Sequence, residues 1–166
     1  MPTQATYDDA NLILRLYELR REEKLREART WFAQNCKPTS LEDMNRIAPP
    51  GSQENAYMRM VASYWETAAS FVTSGVLNRE LFFESSGEML VVWERLRAIV
   101  PALRALMKNP SAFHNLETVG NAYIQWMQSQ GPEAYAGFQA MLASMGAPQE
   151  RHALDVVPRG EAAHAV

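Results

Sequence analysis

With Cys36 as its single cysteine, this chain cannot close a disulfide on itself, which excludes a stapled secreted scaffold and leads us to expect a reducing, cytoplasmic setting. Long apolar runs are also missing. The longest, Met89-Leu90-Val91-Val92-Trp93, falls far short of the roughly 20 residues that cross a bilayer, so no membrane insertion is expected. Residues 1–11 carry Asp8 and Asp9 and have neither a basic nor an apolar segment, and so do not read as a secretory leader. Positive charge is not in excess: 16 Lys and Arg stand against 19 Asp and Glu, a formal net charge of -3. Binding to a phosphate backbone rewards the opposite balance, so no nucleic-acid partner is expected. A phosphate-cradling glycine loop and a nucleophile with a neighbouring base are absent too. Cys36 has only Lys37 as a local activator, and none of His114, His152 or His164 is placed beside it by sequence. Neither catalysis nor a cofactor is expected.

What is present is apolar material in helical order. Of 166 residues, 47% are hydrophobic, with four Trp, six Tyr and six Phe, enough for a substantial core. Tyr57, Met60, Val61, Tyr64, Ala68, Phe71 and Val72 recur at three and four residues, and Met89, Val92, Trp93, Leu96 and Val100 do the same. Strand-type alternation is lacking. The expectation is an all-α fold, a compact and irregular bundle of six or seven helices in a single domain over residues 1–146, followed by a loosely held tail at 147–166.

Punctuation divides the stripes. Between about Asp8 and Asn35 the apolar phase changes, because Leu12, Leu16 and Leu19 share one face while Leu25, Ala28 and Phe32 lie nearly opposite. Either the helix breaks near Arg21 to Lys24 or one long helix buries two faces. With no Gly or Pro there, and Glu22 and Arg26 spaced as a favourable pair, one long or bent helix is preferred. Thr39-x-x-Glu42 has capping-box spacing for a short helix, Ser52 caps the next, and Gly75 suits its left-handed exit. Asn78 caps a further short helix, and Gly87 bends or separates the chain before the Met89–Met107 stripe. Pro101 is read as a kink within that stripe. Asn109-Pro110 then opens a helix carrying Phe113 to Met127, and a last one carries Tyr135, Phe138, Leu142 and Met145 to Gly146.

Three groups of side chains are candidates for chemistry, each with a plainer reading. His114, Glu117 and Asn121 share one flank and make weak metal candidates, but no second His-carboxylate pair completes a site, so a solvated flank is preferred. Arg59 and Glu66 sit opposite the main stripe of their helix among small residues, where another helix approaches closely; they mark either a ligand pocket or, more plainly, a structural ion pair or a charge that snorkels to water. Glu80, Glu84 and Glu88 form an acidic row if the helix survives Gly87.

Tyr64-Trp65-Glu66, then Gly75-Val76-Leu77-Asn78-x-Glu80-Leu81-Phe82-Phe83-Glu84, then Gly87, then Trp93-Glu94-Arg95-Leu96 form an ordered pattern over about residues 57–103. It resembles a bacterial all-helical family known only as a domain of unknown function. The resemblance implies an all-helical fold and no activity. Some of that family look membrane-anchored through an N-terminal apolar segment, which this chain lacks.

The leading functional expectation is a small helical interaction module that self-associates or meets a protein partner. Leu12, Ile13, Leu14, Leu16, Tyr17 and Leu19 occupy nearly the whole circumference of the first helix, more than one core-facing stripe needs, and Leu12, Leu14 and Leu16 are the interface candidates. The alternative is a small-molecule binding bundle with an aromatic pocket of Tyr64, Trp65, Phe82, Trp93 and Tyr123, oriented by Arg59 or Glu66, with Glu84 also in the candidate ligand set.

Overall fold

The structure, a computed structural model, describes residues 4–145. Among them are nine helices and no strand: α1 (Tyr7–Arg20), α2 (Glu23–Asn35), α3 (Leu41–Ile47), α4 (Gln53–Thr73), α5 (Arg79–Ser85), α6 (Gly87–Leu96), α7 (Val100–Met107), α8 (His114–Gln130) and α9 (Ala134–Ser144). The all-α fold is as expected, and the count exceeds six or seven because two long stretches divide. The proposed 147–166 tail lies outside the described residues. No described helix is long and apolar enough to cross a membrane.

The first division corrects the preference for one long N-terminal helix. Helix α1 stops at Arg20, and the Glu22 carboxylate accepts from the Leu25 backbone N–H at 2.9 Å, capping a new helix. The i,i+4 attraction to Arg26 is worth only a few tenths of a kcal/mol, roughly 0.2–0.5, so a cap and a common core outweigh it. The break resolves the phase conflict: Leu16 of α1 and Leu25, Ala28 and Phe32 of α2 all enter one core. The second division is at Arg97–Ile99, where a full break replaces the anticipated kink. Pro101 sits in the first turn of α7, where its missing N–H costs no helical bond.

Local signals worked elsewhere. Ser52 and Asn78 cap α4 and α5, accepting from Asn55 N and Leu81 N, and Gly75 leaves α4 at a φ of 75°. The α3 cap lies one residue beyond the expected one: Ser40 accepts from Asp43 N, while Thr39 donates to the Asp43 carboxylate.

Helix α4 is the spine, with α2, α6 and α8 packed around it. Trp65 is its deepest large side chain, while Ala62, Ala68 and Ala69 are small enough to let neighbours close in. α8 lies against the small-residue face, reaching Glu66 and Thr73 through Asn115. Asp9 ties the ends of two other helices together: one carboxylate oxygen accepts from the Thr6 N–H and hydroxyl, the other from the Asn78 N–H at 2.6 Å. These bonds, the Thr6 hydroxyl first, hold the Asp9 carboxyl below the usual carboxylate range.

At the α6–α8 crossing, Gly120 leaves no space for a side chain. A Cβ there would stand 2.4 Å from Cδ1 of Trp93, whose indole is buried and donates to Asn121 at 3.3 Å. Gly120→Ala gains about 1 kcal/mol of helix propensity but must displace a core tryptophan. We expect a net loss of about 1–3 kcal/mol, seen as a lower melting temperature with helix content retained. An unchanged or raised melting temperature contradicts this packing.

Because the folded-state pKa of Asp9 is depressed, its contribution is fully present above the unfolded value, near 3.9, and disappears as pH falls through the folded value. Urea titrations from pH 7 downward should show Asp9→Asn less stable than wild type at neutral pH and converging with it in acid. Parallel curves at all pH values exclude this linkage.

Candidate functional site

Between α4, the α6–α7 corner and the turn at 108–113 lies a cleft of about 900 Å³, within the usual range for small-molecule sites. Its walls are mostly apolar: Met60 and Ala62 from α4, Leu96 from α6, Leu103 and Met107 from α7, and Phe113. Arg59, Ser63, Asn109 and Ser111 supply polarity at its edges. Met107 is exposed, so methionine here contributes an adaptable surface rather than only core filling.

The turn that forms one wall is held in an unusual conformation. Lys108 and Phe113, neither a glycine, have φ of 50° and 57°. A left-handed residue of this type costs about 1–2 kcal/mol, so surrounding contacts must impose both. Arg104 is one such contact, donating through Nε to the Ala112 carbonyl at 2.9 Å and through Nη2 to Glu117 at 2.7 Å. The anticipated Asn109-Pro110 helix start is therefore replaced by a turn, and α8 begins at His114.

That displaced start leaves α8 without a local cap, since Phe113 has no side-chain oxygen. Glu66 supplies it from across the core. Its Oε1 accepts from the Asn115 side chain at 2.9 Å and the Asn115 backbone at 3.2 Å, and Oε2 accepts from the Leu116 N–H at 2.8 Å. A carboxylate meets both the orphan amides and the positive end of the helix dipole. Arg59 is exposed and has no carboxylate partner among the described residues, so the expected Arg59–Glu66 alternatives separate: Glu66 is structural, and Arg59 is a free cation at the cleft.

The aromatic pocket read from the sequence is replaced by solid core. Trp65, Phe82, Trp93 and Tyr123 are buried, and none lines this cleft. Tyr64 is half-buried, donates to the Leu16 carbonyl at 2.6 Å, and its phenol is pushed up to about 12 chiefly by burial. Glu84 is exposed on α5. The acidic row does not form: α5 ends at Ser85, and Glu88 turns inward to Arg29, Arg20 and the Trp65 indole. Glu117 is engaged by Arg104, and no group of three His, Cys, Asp or Glu among the described residues is arranged to hold a metal. Cys36 is fully buried, and desolvation pushes its thiol up to about 12 despite nearby Arg95, which removes its thiolate at neutral pH.

Of the interface candidates, Leu16 belongs to the core and Leu12 packs half-buried against it, whereas Leu14 is exposed. A second cavity of about 610 Å³ lies beside Arg29 and Glu88 and is lined by Phe138, Met141 and Met145 of the C-terminal region. Met58, Met60 and Met107 could be read from the sequence as lining for an adaptable groove, whereas Leu103 and Phe113 were missed as cleft residues, because the break before α7 and the turn at 108–113 place them.

The family described as "Domain of unknown function (DUF4760)" matches the chain over residues 5–126. The chain belongs to that family. No curated protein and no solved structure matches it. The family region holds α1 to α7, most of α8 and every residue of the 900 Å³ cleft, while α9 lies beyond it.

Glu66→Ala should remove the α8 cap and destabilise by about 1–3 kcal/mol, with Glu66→Gln intermediate because one acceptor oxygen remains. The check is the denaturant midpoint together with amide exchange in the first turn of α8. Unaltered exchange at Asn115 and Leu116 rules out the capping role.

Proposed function

We propose that this domain is a non-catalytic interaction module that self-associates through the outer face of α1. One observation carries the reading. Tyr7, Leu14 and Tyr17, spaced seven and three residues apart, form a single stripe and are 81%, 61% and 51% exposed, while Leu16 on the opposite face is 7% exposed. An apolar stripe of this kind on a well-anchored helix favours an interface over random surface hydrophobicity. The stripe begins beside Asp8 and ends at Arg21, so two copies packed antiparallel about Leu14 set each Arg21 near the other's Asp8. A cytoplasmic setting, in which Cys36 stays reduced, and the absence of a nucleic-acid partner at a net charge of -3 belong to the same reading.

A second reading, small-molecule binding, is favoured by the 900 Å³ cleft and its apolar walls.

Self-association is tested by light scattering after size exclusion at increasing concentration. Wild type should form dimers and Leu14→Glu should be monomeric, since each buried leucine is worth about 1.5–3 kcal/mol; the two should melt alike only at concentrations too low for wild-type dimers. Leu16→Glu is the contrasting control, losing stability instead. A wild type that stays monomeric at high concentration overturns the proposal.

A further inference from the structure

We infer that the cleft between α4 and α7 binds a free long-chain carboxylate, its alkyl chain against Met60, Leu103, Met107 and Phe113 and its head group on the Arg59 guanidinium. The inference rests on the second reading above and names its ligand class. The charges around the cleft narrow that class. Its carboxylate, Glu66, is already committed to three N–H donors at the start of α8. Arg104, beside the turn, is committed to Glu117 and the Ala112 carbonyl. Among the described residues Arg59 has no carboxylate partner, and neither has Lys108, which sits between the lining residues Met107 and Asn109. Two cations without a carboxylate partner, Arg59 in the lining and Lys108 beside it, therefore stand next to an apolar trough whose own carboxylate is held by the amides of α8.

A cationic head group meets the like charge of Arg59 and finds the cleft's one carboxylate already bonded, and a purely apolar ligand leaves Arg59 unanswered. One guanidinium fork matches the two oxygens of one carboxylate, whereas a multiply charged phosphate calls for several convergent cations. Lys108 is the left-handed end of α7, whereas the left-handed Phe113 lines the cleft and supports a binding role for this wall, since such backbone is found where a ligand-facing surface has been shaped against local preference.

The test uses dodecanoate below its micelle concentration, with dodecanol and dodecylammonium as comparisons, followed by calorimetry and amide NMR shifts. Wild type should bind dodecanoate saturably, with shifts at 59–63 and 103–113, and bind it more tightly than either comparison. Arg59→Ala should weaken dodecanoate about 10- to 100-fold and leave dodecanol unchanged. Ser63→Trp, which fills the rim from an exposed position, should weaken all binding; circular dichroism checks that both variants keep the fold. Equal binding of dodecanoate and dodecanol, insensitive to Arg59→Ala, overturns the carboxylate while leaving a pocket. No saturable binding of any of the three overturns both. Association only with phosphatidylglycerol vesicles, and not with monomeric dodecanoate, overturns the free ligand as the source.

Discussion

The carboxylate of Glu88 is the point at which four helices meet. From the first turn of α6 it accepts from Arg29 Nε of α2 at 2.7 Å, with a second guanidinium bond from the same residue, and from the Trp65 indole of α4 at 3.4 Å. Arg20, at the end of α1, approaches to 3.8 Å and lies over the Trp65 ring at 5.3 Å. Arg29 in turn donates to the Arg20 carbonyl at 3.0 Å, closing the end of α1. A partly buried carboxylate between two guanidinium groups is stable only while the partners stay in place, because removing one strands the other charge out of water. Glu88 therefore holds Arg29 firmly in its charged form and fixes how α1 and α2 meet α4.

That constraint explains the break after Arg20. A continuous helix through Arg21 and Glu22 gives the Arg20 carbonyl a helical N–H partner and turns it along the helix axis, where Arg29 competes with the ladder. Ending α1 there frees the carbonyl, lets Glu22 start α2, and turns the inner faces of both helices toward Trp65. The outer face of α1 is left over, and its Tyr7, Leu14 and Tyr17 are the surface on which the interaction reading stands.

A second carboxylate does parallel work at the other side of α4. Glu66 takes the start of α8, and Arg104 holds the turn before it, so the 108–113 segment is pinned at both ends and forms the wall of the cleft. The Gly120–Trp93 contact then locks α8 against α6. Structural charges are used inside the bundle, while Arg59, a cation without a carboxylate partner among the described residues, is exposed at the opening.

The all-helical class, the caps at Ser52 and Asn78, the exit at Gly75 and the buried stripe of α4 were legible in the chain, because capping and amphipathic periodicity act within a few residues. Arg59 and Glu66 were legible as an out-of-place pair for the same reason, though not their separate fates. Tertiary structure alone decided that Glu66 caps a helix starting about fifty residues later, that Glu88 turns inward away from Glu84, and that Trp65 and Trp93 fill the core instead of lining a pocket. It also decided which leucines of α1 are buried. In each case the deciding partner is distant in sequence, and a carboxylate or an apolar face carries no local mark of which distant amide, cation or helix will satisfy it.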